Sequence, residues 1–123
     1  MLSNNLKIKH TADEYHIYLA YSFFNRARGL LFRKKLMSNE CLLISPCSSI
    51  HTIGMFYSLD IVFLDACGII VEVYEDVKPF RFISSSHKRA RTVVEFKGGC
   101  LKNLDIKLND HLFETGIFNL EHE

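Results

Sequence analysis

Three polar residues near the middle of the chain, His51, Thr52 and Asp60, are the best candidates for a polar site. His51 could carry a proton or contact a ligand, because an unperturbed imidazole has a pKa of about 6.5, close to neutrality. Asp60 stands at the start of an apolar run, where its carboxylate could orient the imidazole or accept backbone N–H groups of the loop. The alternative is that all three only satisfy backbone groups in an irregular loop, since buried polar side chains are usually hydrogen-bonded.

Four cysteines, Cys41, Cys47, Cys67 and Cys100, suggest two further kinds of chemistry. A zinc site fails on spacing, because there is no C-x2-C pair and Cys67 falls in a predicted hairpin turn that should hold it away from Cys47. A nucleophilic Cys47 activated by His51 is a second hypothesis, because an imidazole can generate the reactive thiolate. We expect no metal, no cofactor and no disulfide.

Met55 could line an apolar groove for a ligand or a partner, because its side chain is flexible and adaptable. Such residues are more often part of the core, and we favour that reading for Met55. The candidate ligand-binding region is then the loop from Ser49 to Asp60, flanked by Arg28 and Pro79.

Basic residues are concentrated in two windows, 26–35 and 87–91. If the fold brought them together, they would form a patch for an anion or RNA. Two solvated loops are the favoured reading, because no single-strand stacking motif accompanies the cations. Nucleic acid is therefore not an expected partner, whereas a protein partner or a small ligand is compatible with the sequence.

The composition is that of a single globular domain. The chain has 123 residues, of which 48% are hydrophobic and 24% charged, with a formal net charge of +1. This small charge does not by itself indicate nucleic acid or membrane binding. No signal peptide or membrane span is predicted, since Lys7, Asp13 and similar charges interrupt every apolar stretch. We expect one cytoplasmic domain, residues 1–123, without membrane insertion.

Hydrophobic alternation places most of these residues on strands. Leu6 to His10 and Glu14 to Ala20 alternate apolar with polar residues, which predicts an N-terminal hairpin. Leu59 to Leu64 is apolar on both faces, and a turn at 65–68 leads into a returning strand over 69–77. This pattern predicts a central antiparallel hairpin.

Shorter signals complete the predicted architecture. They are a helix from Ser22 to Gly29, strands at 40–45, 91–96 and 111–115, a basic loop at 83–90 and a helical turn at 101–104. Together they predict an α+β fold: a strand-rich, antiparallel and barrel-like sheet with one or two short helices.

Several separated motifs occur in one order and at one spacing. They are RARGLLFRKKL (26–36), SSIHTIGMFYSLDIVFLD (48–65) with the preceding Cys47, ACGIIVEV (66–73), Pro79 and TVVEFKGG (92–99). In combination they resemble the prokaryotic family known as domain of unknown function 192, DUF192, from about Tyr21 to Leu112. The resemblance implies a strand-rich α+β domain with no assigned reaction, and a loose association with pilus-assembly or secretion gene neighbourhoods.

The chain departs from the family pattern at two positions. Ser58 stands where the family usually has proline, which puts the rigid start of the following strand in doubt. Asn109 replaces a usual glycine, and because asparagine tolerates the left-handed conformation the turn should survive.

Arg28 and Glu95 match family motif positions among apolar neighbours. We expect them to form a structural pair, since an unpaired buried charge is destabilising; Arg28 binding an anionic ligand is the alternative.

Taken together, these features favour a non-catalytic binding or accessory domain. The first alternative is a small enzyme, a hydrolase or transferase, that uses His51 with Asp60 or Cys47. The second is an anion or RNA binder that uses the basic segments Arg26–Lys35 and His87–Arg91.

Overall fold

β-Strands account for most of the regular structure in the part of the chain that the structure describes. A computed structural model describes residues 2–8, 14–20, 35–51 and 57–114. The strands are β1 (Leu2–Lys7), β2 (Glu14–Ala20), β3 (Glu40–Ile44), β4 (Ser49–His51), β5 (Leu59–Leu64), β6 (Ile70–Val77), β7 (Phe82–Ser84) and β8 (Thr92–Lys97), and a 3₁₀ helix spans Cys100–Asn103. Among the described residues, no helix has the length and apolar character that crossing a bilayer requires.

Six strands form one sheet in the order β1-β2-β3-β8-β5-β6, and β4 pairs with β7 in a separate ribbon. Both predicted hairpins, β1–β2 and β5–β6, are present and antiparallel. β1, however, spans Leu2–Lys7 and so begins four residues before the predicted strand at 6–10. The sheet is nevertheless mixed, because β2 and β3 run parallel. Parallel neighbours need a crossover of a dozen or more residues, which the connection over 21–39 supplies. The prediction of a wholly antiparallel sheet is therefore wrong.

The expected barrel is not formed, because β1 and β6 lie at opposite ends of the strand order. The segment predicted as a last strand instead makes two isolated bridges, Ile69 with His111 and Ile8 with Phe113, which touch both ends of the sheet. Single bridges do not close a hydrogen-bonded barrel. The described residues are mostly β rather than α+β, and the helix predicted over 22–29 lies outside them.

β5 forms the centre of the core. All six of its residues are buried, and it pairs with β6 on one side and β8 on the other. Val62 and Leu64 pack into one hydrophobic cluster, whereas Ile61 and Phe63 pack into another on the opposite face. The prediction that this strand is apolar because both faces are buried is confirmed.

The turn between β5 and β6 is held by an aspartate side chain. Asp65 Oδ1 accepts hydrogen bonds from the backbone N–H groups of Cys67 at 2.8 Å and Ile69 at 2.9 Å. Gly68 adopts a φ of 85°, a conformation that glycine takes without steric cost. The aspartate and glycine predicted for this turn therefore have separate structural roles.

The two departures from the family pattern are both accommodated. Asn109 has a φ of 72°, so asparagine does take the left-handed position in its turn. At the start of β5, the Ser58 carbonyl accepts the N–H of Gly98 at 3.0 Å. The Ser58 side chain also makes a hydrogen bond to Asp76, which proline could not provide. Serine thus ties this end of β5 to two neighbouring segments.

Candidate functional site

The predicted site residues are distributed over several elements. His51 ends β4, where its Cα lies opposite that of Phe82 in β7. Pro79 lies in the turn between β6 and β7. Arg28, Thr52 and Met55 lie outside the described residues, as does the side chain of His51. Their meeting in one pocket stays a prediction.

Asp60 is fully buried and contacts backbone groups from two distant segments. Its Oδ1 accepts the N–H of Asp76 at 2.8 Å, and its Oδ2 accepts the N–H groups of Gly99 at 3.0 Å and Leu101 at 2.9 Å. A carboxylate that accepts several N–H groups fixes the segments that donate them. Asp60 thus joins β5, the irregular end of β6 and the start of the 3₁₀ helix, rather than its own loop.

Glu95, the expected partner of Arg28, is also buried, with 2% of its surface exposed. It lies in β8, where its Cα pairs with Leu42 of β3 and Ile61 of β5. This position is at the centre of the sheet, where an ionised carboxylate needs polar contacts. The Arg28–Glu95 pair itself lies outside the described residues because Arg28 does.

A cleft with a volume of about 710 Å³ lies at the opposite end of β5 from Asp60. Among the described residues, three segments line it: 46–48, which follows β3; 65–67, the turn after β5; and 88–91, which precedes β8. We call it the basic cleft, because Lys88, Arg89 and Arg91 line it and are all exposed. The second basic window of the sequence therefore faces a concave surface.

Backbone hydrogen bonds hold the walls of the basic cleft together. Arg91 donates its N–H to the carbonyl of Leu64 at 2.8 Å and accepts the N–H of Cys47 at 2.6 Å. Close by, the hydroxyls of Ser45 and Thr92 are 2.9 Å apart in a buried contact. The ends of β3, β5 and β8 are thus fixed to one another behind the cations.

Glu72 of β6 anchors the loop that leads into the basic cleft. Its Oε1 accepts hydrogen bonds from the Ser85 hydroxyl at 2.6 Å and from the N–H groups of Ser86 at 2.8 Å and His87 at 3.1 Å. Its Oε2 accepts the Tyr74 hydroxyl at 2.6 Å. The hydrogen bonds from Ser85 and Tyr74 lower the pKa of the Glu72 carboxyl to about 2, because they stabilise its ionised form.

Two of the four cysteines line the basic cleft. Cys67 is exposed and Cys47 is half-buried. The expectation that the hairpin turn holds Cys67 out of reach of Cys47 for a shared zinc ion stays a prediction. The Cys47 thiol donates to the carbonyl of Ser49 at 2.9 Å. Cys41 and Cys100 are buried, and burial raises the pKa of the Cys100 thiol. Within the described residues, no three His, Cys, Asp or Glu side chains cluster as metal ligands would.

Sequence reasoning missed the two most exposed aromatic residues that the structure describes. Phe80 and Phe82 are 60% and 68% exposed, and both lie in the segment between β6 and the basic cleft. It also missed the contacts of Glu72 with 85–87. The alternation of apolar and polar residues in β6 could have placed Glu72 on the solvent-facing side of the strand. It could not have identified residues 85–87 as the groups that Glu72 contacts.

The other basic window, 26–35, lies outside the described residues except for Lys35. The Lys35 ammonium is 5.8 Å from the centre of the Tyr57 ring, within the range of a cation–π interaction. Whether the two basic windows meet therefore stays a prediction.

Comparison with known proteins identifies the family. The chain matches the DUF192 family model, described as "Uncharacterized ACR", over residues 5–113. It is 31% identical over 107 residues to the UPF0127 protein PH1112 of Pyrococcus horikoshii, a match that covers 85% of this chain and 91% of that protein.

Two crystal structures share the fold. A protein of unknown function from Novosphingobium aromaticivorans has a TM-score of 0.74 at 20% identity, covering 89% of this chain and 83% of that one. A protein of Sinorhizobium meliloti described as a "putative transcription regulator" has a TM-score of 0.74 at 21% identity, covering 88% of both chains. At these identities the likeness extends to the fold alone. The match to the family model and the archaeal relative together show that this chain belongs to the DUF192 family.

Proposed function

We propose that this domain is a non-catalytic binding module, and that the basic cleft holds an anion of the phosphate type. The observation that carries the proposal is the convergence of Lys88, Arg89 and Arg91 on one cleft. Its volume of about 710 Å³ lies in the range of small-molecule sites, which is roughly 300–1,000 Å³. Arginine suits such a ligand, because its planar guanidinium can donate two parallel hydrogen bonds to an oxyanion.

Among the described residues that line the cleft, one carboxylate, Asp65, stands against three cations, so positive charge is in excess. Asp65 Oδ1 accepts two backbone N–H groups within its own turn. Glu72 holds the adjacent loop through 85–87 rather than lining the cleft. Both carboxylates therefore help to order the walls on which the cations stand.

Binding is favoured over catalysis by the contacts of the candidate catalytic residues. The Cys47 thiol is hydrogen-bonded to a carbonyl oxygen, an acceptor that favours the thiol over the thiolate that a nucleophilic cysteine needs. Both oxygens of Asp60 accept backbone N–H groups, so this carboxylate is already engaged in structural contacts. A hydrolase or transferase using His51 remains the alternative, and an active-site imidazole would have to act with other partners.

The association with pilus assembly or secretion has no support among the relatives. None of the three reported above is described as a pilus or secretion protein. A protein partner and a cytoplasmic location stay predictions from the sequence.

Isothermal titration calorimetry with sodium pyrophosphate tests the proposal directly. We expect saturable binding that weakens as salt is added, because exposed charges are screened. Lys88→Gln and Arg89→Gln should each weaken binding by about tenfold, the value of a charge-assisted hydrogen bond. The matched controls are Lys102→Gln and Lys107→Gln, exposed lysines away from the cleft. Absence of saturable binding, or equal losses in the controls, would overturn the proposal.

A further inference from the structure

Two exposed phenylalanines and the cleft cations lie on one continuous stretch of chain, residues 78–91, which we call the aromatic-basic segment. Phe80 is 60% exposed and Phe82 is 68% exposed. Large aromatic side chains contribute most when they are buried, so two neighbouring rings left in solvent indicate a contact surface. The ribbon strand β7 begins at Phe82 and leads from there towards the cleft.

The ribbon places the rings and the cations at its two ends. Along β7, Phe82 and Ser84 are exposed, whereas Ile83 is partly buried and packs against the core. At one end of the ribbon Phe82 lies opposite His51. At the other end Ser48 lines the basic cleft, and its carbonyl accepts the N–H of Ser85. Three residues of strand separate the two ends, a distance of about 10 Å.

The backbone at Phe80 adds a second observation. Its φ is 63°, in the left-handed region that phenylalanine rarely adopts. Such conformations cost free energy and are found preferentially at ligand contacts and other functional sites. The turn thus holds an aromatic ring outward in a conformation that glycine would adopt more easily.

The charge of the segment is one-sided. Residues 78–91 contain five of the fifteen Lys and Arg of the chain and none of its fourteen Asp and Glu. Three nearby carboxylates have partners: Asp76 pairs with Lys78 at 2.8 Å, Glu72 accepts donors from 85–87, and Asp65 accepts the N–H groups of its turn. Hydrogen bonds from neutral donors do not remove a carboxylate's charge, but five cations against these three carboxylates still leave the surface with an excess of positive charge.

We propose that the aromatic-basic segment binds single-stranded nucleic acid, with phosphates at Lys88, Arg89 and Arg91 and unpaired bases stacked on Phe80 and Phe82. This inference rests on the proposed anion binding of the cleft. Cations that follow a backbone together with rings on which bases stack are the shared features of sequence-tolerant single-strand binders. The sequence alone disfavoured nucleic acid because no stacking residues were recognised near the cations, and the exposure of the two rings supplies them.

A protein-docking patch fits these features less well. A docking surface of this kind is a contiguous apolar area. Along the chain, Arg81 lies between the two phenylalanines and Lys78 precedes them, so charged residues adjoin both rings in sequence. Base stacking uses the ring faces and tolerates neighbouring cations, so the interleaving favours nucleic acid.

Fluorescence anisotropy with a labelled eight-nucleotide oligo-dT tests the inference. Phe80→Gly and Phe82→Thr should each weaken binding at least fivefold, the lower range for loss of one stacked base. Phe80→Gly should not lower the melting temperature, because glycine accepts the positive φ. The matched controls are Met37→Ser and Leu108→Ser, which remove exposed apolar side chains of similar exposure elsewhere and should leave affinity unchanged.

Two further probes separate this inference from the proposed anion site. Phe80→Gly and Phe82→Thr should still bind pyrophosphate as the wild type does, because they keep every cleft cation. An abasic oligonucleotide of the same length should bind several-fold more weakly than oligo-dT, since it offers phosphates without bases. If the protein binds pyrophosphate but not oligo-dT, this inference is overturned and the proposed anion site is kept. The two exposed rings would then be assigned to contact with a protein partner. Equal affinity for abasic and oligo-dT strands would also overturn it.

Discussion

β5 carries an aspartate at each end, and the two ends of the strand are built in opposite ways. Asp60, at the start, is fully buried and accepts backbone N–H groups from residues 76, 99 and 101. Asp65, just past the other end, is partly exposed and holds only its own turn beside the basic cleft. The Asp60 carboxylate joins distant parts of the chain, whereas the Asp65 carboxylate orders only the turn that lines the basic cleft.

This difference separates stability from binding along a single strand. At the Asp60 end, three backbone N–H groups, one of them in a buried hydrogen bond, depend on one side chain, so a change there should affect the whole fold. At the cleft end, the cations are exposed and the backbone holds the walls, so side chains can change with little cost in stability. The proposed binding site thus lies at the cleft end of β5, where side chains can be exposed to solvent with little cost in stability.

The largest effect should come from Asp60→Ala. The substitution leaves three N–H groups without their acceptor, at least one of them buried, and should lower the free energy of unfolding by about 3–5 kcal/mol. Urea denaturation measures the loss. Asp60→Asn, which keeps one acceptor oxygen, should fall between the wild type and Asp60→Ala.

The exposed Asp105 provides the control for this prediction. Asp105→Ala should change the unfolding free energy by less than about 0.5 kcal/mol, as is usual for surface positions. A loss of under about 1 kcal/mol for Asp60→Ala would break the comparison, since the two ends of β5 would then contribute alike.

Gly98→Ala should be the next most harmful change at the Asp60 end. A Cβ at this position would lie 2.9 Å from the backbone oxygen of Ser58, which has little freedom because it accepts the Gly98 N–H. We expect a loss of about 1–3 kcal/mol, as for other overpacked sites, measured by urea denaturation.

Gly99→Ala separates the effect of steric crowding, expected at Gly98, from the effect of a positive φ. Gly99 has open space around its Cα but a φ of 92°, so an alanine there costs about 1–2 kcal/mol through backbone strain alone. A Gly98→Ala protein as stable as the wild type would contradict the view that the start of β5 is rigid.

The central part of the fold could be predicted from sequence because its signals are local. The apolar run 59–64, the Asp and Gly of the following turn and the alternation of 14–20 each determine a nearby structure. The parallel pairing of β2 with β3 could not be predicted in this way. It depends on the direction in which the two strands meet in the tertiary fold, and no local pattern encodes that direction.

The candidate site shows the same limit. Asp60 was recognisable as a polar residue in an apolar strand, but its partners at 76, 99 and 101 are far away in sequence. The basic window at 87–91 was also recognisable. Its placement opposite Cys47 and Cys67 required the ends of three strands to meet, which only the tertiary fold determines.

Glu72→Gln should have a moderate and pH-dependent effect. The folded-state pKa of about 2 lies below the ordinary value of 4.5, so the ionised carboxylate contributes stability above about pH 4.5 and loses it as pH falls towards 2. Because this carboxylate is accessible to solvent, we expect a loss of only about 1 kcal/mol at pH 7. Urea denaturation at several pH values should show the variant and the wild type converging in acid.

Amide hydrogen exchange locates this effect on the cleft wall. The N–H groups of Ser86 and His87 donate to Glu72, so both should exchange faster in Glu72→Gln. Glu75→Gln, an exposed change on the same strand, should leave them unaffected. Unchanged protection in Glu72→Gln would show that the loop is ordered without this carboxylate, and the cleft end would then be more rigid than we infer.

The smallest perturbation, alkylation of Cys67, tests the cleft end most directly. Cys67 is exposed on the cleft, whereas Cys41 is fully buried and burial raises the pKa of the Cys100 thiol, so iodoacetamide should modify Cys67 first. Saturating pyrophosphate should slow that reaction several-fold, because the anion would occupy the cleft that Cys67 lines. Cys67→Ser should identify the modified peptide and change stability by less than about 0.5 kcal/mol. If pyrophosphate binds but leaves the alkylation rate unchanged, the anion lies elsewhere, and the cleft end of β5 differs from the Asp60 end in exposure but not in function.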